Sequence, residues 1–194
     1  MKSVTTRYLM TCAAIGAAMG VLLVPANFVS APLAAAAPMA YAPMVGLWII
    51  GPVLAMALLR RPGAGILTMF VAGVVSSASP VGVYSVVTCL MAGAAVELAF
   101  LVTRYRVWRP WLFFVDALVF GAAYVASGWV AFDMGAMAPA VLVTFVTLML
   151  GSFLACTWFG LFLAGRLATA GVARGLAPAR GGAARAEVMR DGAR

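Results

Sequence analysis

Apolar residues run along this chain in long blocks, and the polar positions between them carry the punctuation. Bounded by arginines or by Pro/Gly clusters, the blocks predict helices over Tyr8–Ser30, Pro43–Leu59, Gly63–Ser77, Gly82–Thr103, Pro110–Val130 and Ala138–Gly165. Most approach the ~20 apolar residues that a membrane-crossing helix needs. Gly63–Ser77 is shorter and could be read as one long helix with the block after it. The stretch "SSASPVG" (Ser76–Gly82) opposes that fusion, because Pro80 flanked by serine and glycine is a turn signal.

The basic residues decide the count. Lys2 and Arg7 precede the first block, Arg60 and Arg61 follow the second, and Arg104, Arg106 and Arg109 follow the fourth. The other arginines follow the sixth. Six spans put all 13 basic residues on one side, and positively charged loops mark the cytoplasm. Five spans would set Arg60 and Arg104 on opposite faces. The expectation is an all-α polytopic membrane protein with six transmembrane helices and both termini cytoplasmic. Residues 1–170 form the membrane domain, and 171–194 form a basic, disordered cytoplasmic tail poor in apolar residues. A cleaved signal peptide is the rival for the first block, which starts basic and ends in "SAPLAAAAP"; the apolar run exceeds the usual signal core.

Composition agrees. The chain of 194 residues is 65% hydrophobic and 9% charged, where a soluble domain carries roughly a quarter charged residues. With no histidine it offers neither imidazole catalysis nor imidazole metal ligation. It has no GxxxxGK[ST] phosphate loop, so it does not itself hydrolyse ATP by that cradle. Cys12, Cys89 and Cys156 are scattered through apolar runs and read as small core residues. Candidate nucleophiles, bases and metal ligands are too few for an enzyme, and no cofactor is expected.

Polar groups inside a membrane are costly, so their depth is the main functional signal. With odd spans running outward and even spans inward, the outer half collects Asn27, Tyr41, Trp48, Tyr84, Thr88, Tyr124, Ser127, Trp129 and Thr144, with Asp133 in an outer loop. Aromatic walls with a few hydrogen-bonding groups suit a small, flat, ring-containing ligand. The alternative is an interfacial aromatic belt, which suits Tyr41 and Trp129 equally well. On the inner side, Glu97 and Asp116 sit at similar depth on successive spans. Two such carboxylates either pair with snorkelling arginines or serve a ligand or coupling role.

The stretches "GLWIIGPVLAMALLRRPGAGILTMFVAGVVS" (Gly46–Ser76) and "GAAVELAFLVTRYRVW" (Gly93–Trp108) resemble the S components of energy-coupling factor (ECF) transporters, and most of all those for thiamine and its hydroxymethylpyrimidine precursor. The resemblance implies capture of a vitamin-like ligand on the outer side of the bacterial cytoplasmic membrane. It further implies a separate membrane scaffold (T) subunit and two ATPase subunits as partners, with small residues of the first helix docking on the scaffold. Ala13 with Ala17, Ala14 with Ala18 and Gly16 with Gly20 are the small-xxx-small pairs placed for that docking. The ligand-binding candidates are Asn27, Trp48, Tyr84, Glu97, Tyr124 and Trp129. The chain departs from the thiamine type at two points. An acidic residue is implied in the third helix, where Met69 and Phe70 stand, and a glutamine in the fourth, where Ala92 stands. The alternatives are a proton-coupled secondary transporter using Glu97 and Asp116, and a non-transporting membrane assembly protein.

Overall fold

The computed structural model describes residues 6–171; Lys2 and the tail beyond Gly171, both used in the sequence reading, lie outside the described residues. Within them the chain is all helical: α1 Thr6–Ala36, a single turn α2 Pro38–Tyr41, α3 Leu47–Leu59, α4 Ala64–Ser76, α5 Tyr84–Val102, α6 Pro110–Ser127 and α7 Pro139–Thr169. The six expected blocks each become a helix, with α2 and α3 together forming the second. Five of these units are long and apolar enough to cross a membrane, while α4 is a shorter apolar helix. The first and last helices outrun their predicted bounds, reaching Ala36 and Thr169.

Proline opens α2, α6 and α7, where its missing N–H costs nothing and its fixed φ suits the first turn. Pro25 and Pro32 instead lie inside α1, and each removes a backbone rung there. The turn between α3 and α4 is tight: Arg60 closes α3 with φ 48° and Gly63 opens α4 with φ 80°. Arg104 and Tyr105, just past α5, are left-handed as well, at φ 50° and 55°.

α3 is the central helix, with every residue but Leu47, Trp48 and Ala57 buried. It runs parallel to α7, since Gly46 packs on Ser152 and Gly160 packs on Ile50 and Val53. α4 lies between α1 and α5, and contact on both sides is backbone-close. A Cβ on Gly16 would come within 2.5 Å of Thr68 O, and one on Gly73 within 2.7 Å of Val86 Cα. Glycine at these positions is what lets the helices meet.

Cross-links fix which ends coincide. Tyr8 Oη donates to Pro62 O at 3.2 Å and Arg61 stacks over the Tyr8 ring, so the start of α1 meets the α3–α4 turn. Glu97 near the end of α5 reaches the same turn. Arg7, Arg60, Arg61, Arg104, Arg106, Arg109 and Arg166 therefore gather at one end of the bundle. The described chain begins and ends there. At the opposite end the charged residue is Asp133.

Candidate ligand-binding site

The end remote from the arginines holds a cavity of about 220 Å³. Its walls are aromatic. Trp48 comes from α3, Tyr84 from α5, Phe120 and Tyr124 from α6, and Phe153 from α7. Phe120 and Tyr124 both meet Phe153 edge-on, with ring centroids 5.4 and 5.8 Å away, the arrangement that the ring quadrupoles favour. Tyr41 closes the wall from α2, sharing a 2.6 Å hydrogen bond with Tyr124 Oη and stacking on Phe132.

The polar groups of the lining come chiefly from one face of α1. Asn27 and Ser30 stand three residues apart, hence on the same side of the helix. The Asn27 amide donates to Ser79 Oγ at 2.9 Å, which ties α1 to the α4–α5 turn. Its carbonyl oxygen has no donor among the described residues. The Ser30 hydroxyl is in the same position, although the residue is only 5% exposed. Neither oxygen is among the fully buried unpaired side-chain atoms of the described residues, which are Thr68 Oγ1 and Thr157 Oγ1 outside the lining; as lining groups, Asn27 and Ser30 are open to whatever occupies the cavity. Thr88, by contrast, already donates to Ser85 O. No lining residue carries a charge.

Of the residues singled out from sequence, Asn27, Trp48, Tyr84 and Tyr124 come together here. Trp129 lies in the turn after α6, about half exposed and outside the lining. Glu97 belongs to the other end. Its carboxyl oxygens accept from the backbone N–H groups of Gly63 (3.0 Å), Gly65 (2.7 Å) and Ile66 (3.2 Å) and from Tyr105 Oη (3.1 Å). A carboxyl group at the first turn of a helix answers the orphan donors and the dipole of α4. The expected carboxylate–arginine cluster is therefore replaced at Glu97 by backbone donors. Burial, and then the nearby Glu97, pushes Tyr105 up to about 12, so its hydroxyl stays a donor at neutral pH. Asp116 is buried within α6 with no hydrogen-bond partner among the described residues.

The small residues of α1 separate into two faces. Gly16 and Gly20 are buried against α4, where a Cβ on Gly20 would come within 2.5 Å of Val75 Cβ; they serve this bundle and are not available to a second chain. Ala14 and Ala18 are exposed, with Ala13 and Ala17 half-buried beside them.

Ser30, Phe120 and Phe153 were not singled out from sequence. Ser30 had a usable signal, its position one turn from Asn27. The two phenylalanines had none, since many apolar residues in these blocks look alike. Ala92, where the resemblance implies glutamine, lines the cavity, while Met69, where it implies an acid, is fully buried against Gly51 and Gly93. Both departures make the interior less polar.

Comparison with known proteins adds three findings. Residues 7–123 match the family described as "ABC-type cobalt transport system, permease component". The chain is 28% identical over 147 residues to the "Putative HMP/thiamine permease protein YkoE" of Bacillus subtilis (strain 168), covering 72% of each protein. Its fold is similar to a solved structure described as "Crystal structure of an S-component of ECF transporter", with a TM-score of 0.77, 23% identity and 98% of both chains covered.

Proposed function

The chain belongs to the family of ABC-type cobalt transport system permease components, and we propose on that premise that it is the substrate-capturing subunit of an ECF importer. The family and the fold are those of a membrane transport component rather than an enzyme. The finer reading is that this chain takes a small uncharged heterocycle from outside and docks on a scaffold subunit carrying two ATPase subunits. The arginine-rich end then faces the cytoplasm of a bacterial inner membrane.

The observation that carries the ligand reading is the cavity itself: walled by six aromatic side chains, free of charge, with an amide carbonyl and a hydroxyl left open on the α1 side. Flat rings stack on such walls, and an edge bearing N–H or O–H groups finds Asn27 and Ser30. At about 220 Å³ the space is below the roughly 300 Å³ at which drug-sized pockets begin. The fit is to one ring with small substituents. HMP, which the name of the YkoE relative carries, is such a molecule. Thiamine adds a second ring and a permanent positive charge, for which the lining holds no carboxylate. Cobalt as cargo is poorly served too, because the lining has neither imidazole, thiolate nor carboxylate to bind it. Glu97, held by the α4 backbone and Tyr105, is ill placed for a proton relay with Asp116.

Two measurements test this reading. Titration calorimetry on the purified protein is expected to detect HMP binding, with thiamine weaker; heat from neither compound sinks the ligand class. For docking, Ala18→Leu puts bulk on the exposed face of α1 and is expected to abolish co-purification with scaffold and ATPase subunits while HMP binding persists. Undiminished co-purification would remove the α1 face from the interface.

A further inference from the structure

One arginine of the described residues stands apart from the rest. Arg7 lies in the first turn of α1, Arg109 precedes α6, and Arg60, Arg61, Arg104 and Arg106 lie where helices end or in the turns after them. Arg166 instead lies inside α7, a helix that runs toward the arginine-rich end. Its height follows from the packing of α7 on α3. Gly160 rests on Ile50 and Val53. Further along these parallel helices by the same number of residues, Arg166 is level with Met56 and Leu59, short of Arg60 and Arg61.

Its side chain is also turned inward. Cα–Cβ bonds tilt toward the N-terminus of a helix, which for α7 is the opposite end of the bundle. Arg166 Cζ accordingly stands 5.0 Å from the centroid of the Phe162 ring, one turn back. Phe162 in turn stacks on Trp158, with centroids 5.7 Å apart and 15° between the planes. Trp158 and Phe162 are 61% and 42% exposed, and Arg166 is exposed as well. The ladder therefore lies on the outer face of α7, uncovered by the bundle.

A guanidinium over a ring gives its face to the π system. Its N–H donors lie around the edge, and they meet no acceptor among the described residues. Glu97 is already held by the amides of Gly63, Gly65 and Ile66 and by Tyr105. We propose that Arg166, Phe162 and Trp158 form a site for one anionic phospholipid, its phosphate accepting edge-on from the guanidinium and an acyl chain lying along the two rings. Arginine meets phosphate through two parallel N–H···O bonds, and here the ring beneath already fixes the plane of the fork. The other arginines of this end favour a net negative headgroup, whereas the choline of a zwitterionic one opposes their field. The inference rests on the membrane-spanning fold and not on the transport reading or the identity of the ligand.

Native mass spectrometry tests it on the purified full-length protein, released from micelles holding equal palmitoyl-oleoyl phosphatidylglycerol and phosphatidylcholine. The first lipid retained is expected to be phosphatidylglycerol, and Arg166→Gln to lower that preference about fivefold. Arg166→Lys keeps the charge without the planar fork and is expected to restore the preference only in part. An unchanged preference in Arg166→Gln would overturn the site. Full restoration by lysine would overturn the edge-on phosphate. An equal loss in Arg106→Gln, in the exposed turn after α5, would mean a diffuse field and no built site. A benzoylphenylalanine photolabel at position 159, exposed beside Phe162, is expected to attach to lipid in intact cells. Attachment to a protein would mean that a partner chain covers this face, which also overturns the proposal.

Discussion

The two ends of this bundle treat polar groups in opposite ways. At the arginine-rich end, Glu97 is fully occupied by the amides of Gly63, Gly65 and Ile66 and the hydroxyl of Tyr105, and Tyr8 ties α1 to Pro62. At the other end, Asn27 uses only half of its amide and Ser30 uses none of its hydroxyl within the described residues. Both ends hold buried polar side chains, and both groups look equally expensive in the sequence. The difference lies in completion. A closed network is architecture, because each member already has its partner. An open one leaves binding capacity for something absent from the chain.

Removing Glu97 is the hardest test of this contrast. Glu97→Ala strands four donors at once, one buried and three partly buried, and is expected to destabilise the fold by about 2–4 kcal/mol, read as a large drop in the thermal midpoint in detergent. HMP affinity per folded molecule should stay unchanged, because the cavity lies at the other end. Lost affinity in the folded fraction would tie Glu97 to the ligand after all. Trp48→Ala inverts the pattern. Loss of ring stacking and packing is expected to weaken HMP binding by about 1–3 kcal/mol, with a smaller change in the midpoint than Glu97→Ala produces; a normal isotherm would move the binding site elsewhere. The mildest change is Ser30→Ala. It removes one open hydroxyl and should weaken binding by about 1 kcal/mol with no loss of thermal stability. A drop in stability without a change in affinity would mean that Ser30 belongs to the architecture.

Much of the fold was legible because lipid imposes simple rules. Block lengths and the placement of Arg60, Arg61 and Arg104 separate the helices, and Pro80 divides α4 from α5 as expected. What sequence could not supply was the azimuth of each helix. Hydrophobic blocks that are apolar all round have no polar face to orient them, so Gly16 and Ala14 looked interchangeable. Packing against α4 separates them. Depth was easier to read than direction, which is why Asn27, Trp48, Tyr84 and Tyr124 line one cavity while Trp129, at similar depth, lies outside its lining. Glu97 was placed at the right depth with the wrong partners. The backbone donors of a helix start cannot be seen in a list of side chains.

The left-handed residues at the arginine-rich end carry one more consequence. Arg60, Arg104 and Tyr105 hold φ values of 48°, 50° and 55°, a conformation that costs an ordinary side chain roughly 1–2 kcal/mol and glycine nothing comparable. Glycine is plentiful in this chain, with 20 copies, yet two of these corners keep arginine. Folded-state comfort alone would select glycine at both. On the reading that these loops are cytoplasmic, the same corners are where positive charge instructs the insertion machinery which way to thread each hairpin. On that reading the chain accepts conformational strain at Arg60 and Arg104, where its topological instructions would lie. Glycine substitution there would relax the native backbone and remove part of the signal by which the nascent chain finds its orientation.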